Sequence, residues 1–327
     1  MQCPAHGVVP VQVPWAEPKA RFTRLCERLA IDGLRECRVT GATQMLGLRW
    51  DEAWPLMECA VARGPARTVR RVIRPLGVDE QAIAKGHRDL TLVCDIEAGT
   101  VAYAGEDRKP ESVEAYDNAL STEQRARIEA VAMDRWEPDI QATRAHGPDA
   151  TEQLVCERFP LMGYLGTAVD PARKREHRER LAQGDKTLTG TKYLWLYGRE
   201  HLPPARRREC TALRRLARKV GRAWAIQETL RELWHDRAPA VARRFWQRWD
   251  CGATHSRLQP IRDAAATLKR HLANILTYFP HRITNAVSEG LHSKIQAITH
   301  MACGFRNVAH VKTAISFHCG GLDLYPC

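Results

Sequence analysis

"LTLVCDIEAGTVAYAG", residues 90 to 105, decides how this chain is read. Two apolar runs, 90–97 and 100–105, flank Glu97-Ala98-Gly99, and a glycine at that place supplies the positive φ that a tight hairpin turn demands. The stretch is predicted to be two antiparallel strands. "VIRPLGVD" (72–79) reads as a strand before it, and "RIEAVAMD" (127–134) and "QLVCER" (153–158) as a fourth and fifth strand after it. A polar helical stretch near 111–126 and a short helix from about residue 137 fall between them.

Three strands joined by hairpins, then two strands each preceded by a helix, is the element order of an RNase H-like α/β sheet. In that topology the fourth strand lies parallel to and beside the first. Residues 160–279 read as helical throughout, a large basic insertion that separates residues 71–159 from a final helix and tail at 280–327. Between 171 and 222 there are sixteen Lys or Arg against five acids, concentrated in "PARKREHRER" and "ARRRECTALRRLARK". Such a run is either a solvated helix face or a phosphate-tracking surface, with Arg173, Lys174, Arg175, Arg206, Arg207 and Arg208 as the candidate DNA contacts. Trp224, Trp234, Trp246 and Trp249 fall at helix-compatible spacing and are expected in the core.

Ahead of the sheet, residues 20–70 carry helical periodicity through Phe22, Leu25, Leu29 and Ile31, and again through Val39, Met45 and Leu46. Gly47 can turn the chain, Asp51 can cap a new helix, and Trp54, Met57 and Val61 form its inward stripe. This is either a helix-turn-helix, with the helix from Asp51 in a major groove and Arg63, Arg67, Arg70 and Arg71 on phosphates, or a small helical bundle with solvated arginines.

The charge balance, 50 Lys+Arg against 38 Asp+Glu for a net +12, favours a polyanionic partner over acidic small molecules. Eleven cysteines without paired spacing fit a reducing compartment, so a cytoplasmic protein is expected. Neither a membrane-length apolar run nor a signal-peptide profile is found.

Asp79 closes the first predicted strand and Asp134 the fourth. Side by side, two carboxylates raise each other's proton affinity, and a divalent ion between them removes the conflict. In "ITNAVSEGLHSKIQ" (283–296), with Thr284 or Asn285 as cap, Val287, Leu291, Ile295 and Ile298 form a buried stripe. Glu289, His292, Ser293 and Gln296 then share another face. Turned toward the aspartates, Glu289 completes a three-carboxylate site for a pair of metal ions, the arrangement that clamps the attacking and leaving oxygens of a phosphoryl displacement. Taken singly, each acid is equally a turn, cap or surface residue.

The residues carry a resemblance. "VPWA" (13–16), "GVDEQAIAKGH" (77–87), "LTLVCDIEAGTV" (90–101), "VAMDRWEPDI" (131–140), "AVDPARKREH" (168–177) and "ITNAVSEGLHSKIQ" followed by "GFRN" (304–307) are similar to blocks of the DDE transposases of the ISL-three family. The resemblance implies a catalytic and metal-binding triad of Asp79, Asp134 and Glu289, Mg²⁺ or Mn²⁺ as cofactor, and cutting and joining of DNA at the ends of a mobile element. It also implies double-stranded DNA as partner and a homo-oligomer once the ends are synapsed, with no membrane role. Lys85, His87, Arg282, Lys294 and Arg306 are supporting basic groups near the active edge, or else surface ion-pair residues.

The chain departs from that family in three places. A four-ligand zinc ribbon is expected at the start of such proteins, whereas residues 1–19 offer only Cys3 and His6; zinc is not expected, and the chain reads as N-terminally truncated. "CERFP" puts Glu157 and Pro160 where the family has Asp and His, and His292 stands where it has Asn. These changes leave open a catalytically decayed transposase that acts only as a DNA-binding protein or repressor, or another nuclease on the same fold.

Overall fold

The computed structural model describes residues 2–3, 7–8, 13–17, 20–69, 71–84, 88–107, 110–133, 153–156, 158–235 and 238–326. The predicted helix from 137 and the residues Arg70, Lys85, His87, Asp134 and Glu157 lie outside the described residues. The chain divides into two compact units, Met1–Ile128 with Ala286–Cys327, and Glu129–Asn285.

In the first unit, β1 (Gln2–Cys3) and β2 (Gly7–Val8) pair antiparallel. Three helices follow, α1 (Arg24–Glu36), α2 (Val39–Leu46) and α3 (Trp50–Arg67). The Thr23 side chain accepts from Cys26 N and so caps α1. Gly47, at φ 66, ends α2 in the left-handed conformation that glycine adopts without a Cβ penalty. The start of α3 is capped by Glu52, whose carboxylate accepts from Arg49 N at 3.0 Å, and not by Asp51 as the sequence suggested.

The inward stripe of α3 is as expected, with Trp54 and Met57 buried and Val61 packed against the same cluster. On α1 only part of the expected periodicity faces inward: Ile31 is buried, with Ala30, Leu34 and Glu27, while Leu25 and Leu29 are 79% and 57% exposed.

The sheet of this unit is a meander of β3 (Pro75–Ala84), β4 (Arg88–Asp95) and β5 (Thr100–Glu106), antiparallel throughout. Gly99 has φ 65 in the β4–β5 turn, and Asp95 fixes that turn by accepting from Ala98 N (2.9 Å) through its carboxylate and from Gly99 N (2.9 Å) through its carbonyl. β3 runs five residues past Asp79, which therefore sits inside the strand opposite Leu92 and not at its end.

One face of the meander, with Leu90, Leu92, Cys94 and Val101, packs against α13 (Ala286–Met301) and α14 (Val308–Cys319). On the other lies α4 (Pro110–Ala119), where Ser112 donates to the Glu106 carbonyl and Tyr116 meets Tyr103 at 5.6 Å; α5 (Thr122–Ala126) follows it. Phe317 of α14 and Leu324 of the tail complete the cluster around Ile31, Trp54 and Met57. The tail packs so closely on α3 that a Cβ on Gly64 would lie 2.8 Å from Leu322 Cβ.

The second unit holds β6 (Ala130–Met133) and β7 (Leu154–Cys156), which pair parallel. With them are α6 (Arg158–Ala182), α7 (Lys192–Leu196), α8 (Pro204–Leu216), α9 (Arg218–Arg231), α10 (Pro239–Thr254), α11 (Gln259–Arg270) and α12 (Leu272–His281). One core joins these helices. Trp224, Trp234, Trp246 and Trp249 are all buried in it, as their spacing predicted, and the indoles of Trp224 and Trp249 donate to the carbonyls of Tyr197 and Ile226. Among the described residues no helix is long and apolar enough to cross a membrane.

Candidate active site

Asp79 and Glu289 are brought to one side of the meander by two independent periodicities. On β3, side chains alternate between faces, and Asp79 shares its face with its cross-strand partner Leu92, beneath α13. On α13, Ser288, Leu291, Ile295 and Ile298 are buried, which fixes the rotation of the helix. That rotation lays His292 against Asp79, with Nε2 3.5 Å from Oδ2, while Asp79 Oδ1 accepts from Glu80 N at 2.8 Å.

His292 Nε2 is buried and makes no hydrogen bond among the described residues. Glu289 stands one turn earlier on the same helix and is exposed. It lies in the first turn of α13, where the positive end of the helix dipole favours a negative side chain.

The floor under this pair is apolar and uncharged. Burial pushes the Cys94 thiol up to about 12, the neighbouring Ser288 hydroxyl only partly opposes this, and the nearby Asp79 charge adds to it. Cys94 is therefore a neutral packing residue and not a nucleophile. Among the described residues no group of three or more His, Cys, Asp or Glu gathers as a metal site, a statement that does not include Asp134. The donors present, carboxylates of Asp79 and Glu289, are hard oxygen ligands of the kind Mg²⁺ and Mn²⁺ take.

The basic residues divide into committed and open groups. Arg63 is 15% exposed and bonds to Glu27, to Glu17 Oε2 (3.3 Å) and to the Leu324 carbonyl (3.0 Å). Arg67 holds the Tyr325 carbonyl and lies 3.8 Å from Asp323, and Arg71 pairs with Glu97 at 3.2 Å. The exposed face of α3 instead presents Asp51, Pro55, Glu58 and Cys59, a surface without the cations that the sequence reading placed there. Gly47 turns the chain between α2 and α3, and Arg63 and Arg67 are turned inward to hold the C-terminal tail.

On α6, Arg173 is buried against Asp170 (2.8 Å), which Lys174 also meets at 2.8 Å, while Arg175 is exposed. Burial works against the Asp170 charge, yet the two cations hold its carboxyl below the usual range. α8 buries Cys210 and Leu213 and turns its arginines outward. Arg199, Arg207, Arg208, Thr211 and Arg215 line a concave surface of about 310 Å³. Arg206 pairs with Glu209 at 3.0 Å, and Arg207 donates to the carbonyls of Leu202 and Glu200. Arg215 was missed as part of this group, though the spacing Arg208, Thr211, Arg215 is one helix face and was legible. Lys294 is exposed on α13 and donates to the His318 carbonyl at 2.7 Å, and Arg306 is exposed in the turn after it.

Asp79 stands on β3 and Glu289 on the helix that packs over that face of the sheet. The family model for DDE transposases of the ISL3 type, described as a transposase, matches residues 76–315, from β3 into α14, and the chain belongs to that family. Among curated proteins it is similar to the transposase for insertion sequence element IS1557 of Mycobacterium tuberculosis (strain H37Rv), at 24% identity over 337 residues, covering 94% of this chain and 74% of that protein. It is also similar to the transposase for insertion sequence element IS1001 of Bordetella parapertussis, at 26% identity over 296 residues, covering 88% and 72% respectively.

Proposed function

We propose that this transposase binds the terminal inverted repeats of its insertion sequence and carries out metal-dependent strand cleavage followed by strand transfer, with Asp79, Asp134 and Glu289 as catalytic and metal-holding residues. The observation that supports this most strongly is the placement of Asp79 and Glu289 on one side of the meander, with His292 3.5 Å from Asp79 and one helical turn from Glu289. The reading requires the Ala130–Met133 strand to run beside β3 in an RNase H-like core, so that Asp134 follows it to Asp79. Two bound divalent ions would supply the Lewis acidity for both chemical steps.

The chain's own residues do the rest. The three carboxylates fix the positions at which the scissile phosphate meets water in the first step and a DNA 3′-hydroxyl in the second, so one site serves both attacks. The open arginines of α8, with Arg175, hold duplex phosphates without reading sequence. A dimer or higher assembly forms when two ends are brought together. Arg63 and Arg173 are omitted from the DNA-contacting set because their charges are already neutralised inside the protein.

Element-end DNA incubated with the protein and Mg²⁺ tests the reading against Asp134→Ala. Nicks followed by joined products from the parent, and neither from the variant, are expected. Binding with no cleavage by either protein would assign the chain to a decayed DNA-binding role, and nicks without joining would assign it to another nuclease chemistry.

A further inference from the structure

Within the first unit, a cleft of about 630 Å³ opens between α2 and α3 on one side and the C-terminal half of α13 and start of α14 on the other. It is offset from Glu289 along α13: the first residue of that helix to line it, Lys294, lies five residues on, about 7.5 Å along the axis, and Ile298, on its floor, nine residues on, about 13.5 Å at 1.5 Å per residue. Its floor is apolar, with Met57, Ile298 and Ala314 buried.

One wall is aromatic. Trp50 and Trp54 stack at 5.6 Å with planes 10° apart, and His310 approaches Trp54 at 4.5 Å and Trp50 at 6.1 Å. Trp54 is buried and its indole donates to Glu58, but Trp50 is 47% exposed, so one face of its ring is open.

The rim is basic. Arg35, Arg38, Lys294 and Arg306 line the cleft against a single acid, Glu36, and Arg38 and Arg306 are exposed. Arg35 is occupied with the Tyr325 hydroxyl and ring, and Lys294, though exposed, spends one of its three N–H groups on the His318 carbonyl; Arg38, Lys294 and Arg306 are the cations facing out. An exposed indole face ringed by cations over an apolar floor does not match duplex DNA, whose bases are stacked away. It matches a strand with an unpaired base, which offers a ring to stack and phosphates to neutralise.

We propose that this cleft binds a single-stranded DNA end, stacking an unpaired base on Trp50 while Arg38, Lys294 and Arg306 hold the flanking phosphates. This rests on the DNA-processing role proposed above and adds a second DNA site, beside the chemistry and distinct from it. Its use is to hold an unpaired end next to the carboxylates.

Fluorescence anisotropy with the full chain tests it, using a blunt element-end duplex and the same duplex with a short 3′ single-stranded extension. The parent is expected to bind the extended DNA more tightly. Trp50→Ala should remove that advantage, about 5- to 150-fold for one base that no longer stacks, and leave blunt-duplex affinity unchanged; Trp50→Tyr should retain it. Arg38→Ala and Arg306→Ala should each lower the salt dependence of extended-DNA binding by roughly 0.7 in log–log slope.

Equal parent affinities for the two DNAs, or an equal loss on both from Trp50→Ala, would overturn the inference. Competition by excess deoxynucleoside monophosphate as effective as by the extended strand would assign the cleft to a free nucleotide and overturn it too. A parent that binds neither DNA would overturn the transposase role itself, an outcome distinct from the others.

Discussion

Replacing Arg63 by Ala separates two roles that the sequence alone could not. In the structure the guanidinium is 15% exposed and bridges Glu27 and Glu17 of the N-terminal segment to the Leu324 carbonyl of the tail. Glu27 is 6% exposed at its side chain, so the variant strands a carboxylate away from water without its counter-charge. Removing one partner of a buried pair costs about 3–5 kcal/mol, a large part of the roughly 5–15 kcal/mol that holds a domain folded.

For a unit of this size, each kcal/mol moves the midpoint by about 2–4 °C, so the expected shift is roughly 6–20 °C downward. Scanning calorimetry on the full chain measures it. The paired change Glu27→Leu with Arg63→Met removes both charges at similar volume and should recover most of the loss. The reasoning is refuted if Arg63→Ala leaves the midpoint unchanged and instead weakens DNA binding with a salt slope lower by about 0.9, the signature of a phosphate-binding cation.

Three further outcomes are expected. Arg208→Ala with Arg215→Ala should weaken duplex binding uniformly across sequences and reduce the log–log salt slope by roughly 0.9 for each phosphate no longer neutralised, with no change in thermal midpoint, as read by anisotropy and calorimetry together. Trp246→Ala, at a side chain 2% exposed in the core of the second unit, should cost about 3–5 kcal/mol in urea unfolding.

His318 is pulled from the usual imidazole value to about 4 by burial, with Lys294 and Arg35 adding to it. The unfolded chain therefore binds a proton that the folded chain refuses. The stability this neutral imidazole preserves is full above about pH 6.5 and is lost as the pH falls toward 4. His318→Gln should flatten that acid limb in a midpoint-against-pH series.

What the sequence revealed follows from the range of the forces involved. The β4–β5 hairpin was legible because Gly99 and the alternating residues on either side act within a few residues of each other. The stripe of α13 was legible for the same reason, and it put Glu289 and His292 on a common face before any coordinates did. The end of β3 was misread because Glu80 and Gln81 look like loop residues, whereas both pair with β4 in a strand that continues to Ala84.

Leu25, Leu29 and Ile31 all fit a helical period, but only Ile31 is buried, with Ala30 and Leu34, because α3, Phe317 and Leu324 pack on that side. Arg63 and Arg67 were assigned outward because their partners, the carbonyls of Leu324 and Tyr325, lie more than 250 residues away in the chain. The basic run at 171–222 likewise splits in a way that no tally of charges shows: Arg173 turns inward to Asp170, and Arg208 and Arg215 turn outward.

Anomalous diffraction from crystals of the full chain grown with Mn²⁺ and an element-end DNA is the most direct test of the central claim. The account predicts metal peaks about 2.0–2.4 Å from carboxylate oxygens of Asp79 and Glu289, with Asp134 completing the set. Peaks placed elsewhere, or a Glu289 carboxylate more than about 10 Å from Asp79 in the DNA-bound protein, would contradict it, since carboxylates that far apart cannot share ions spaced about 4 Å.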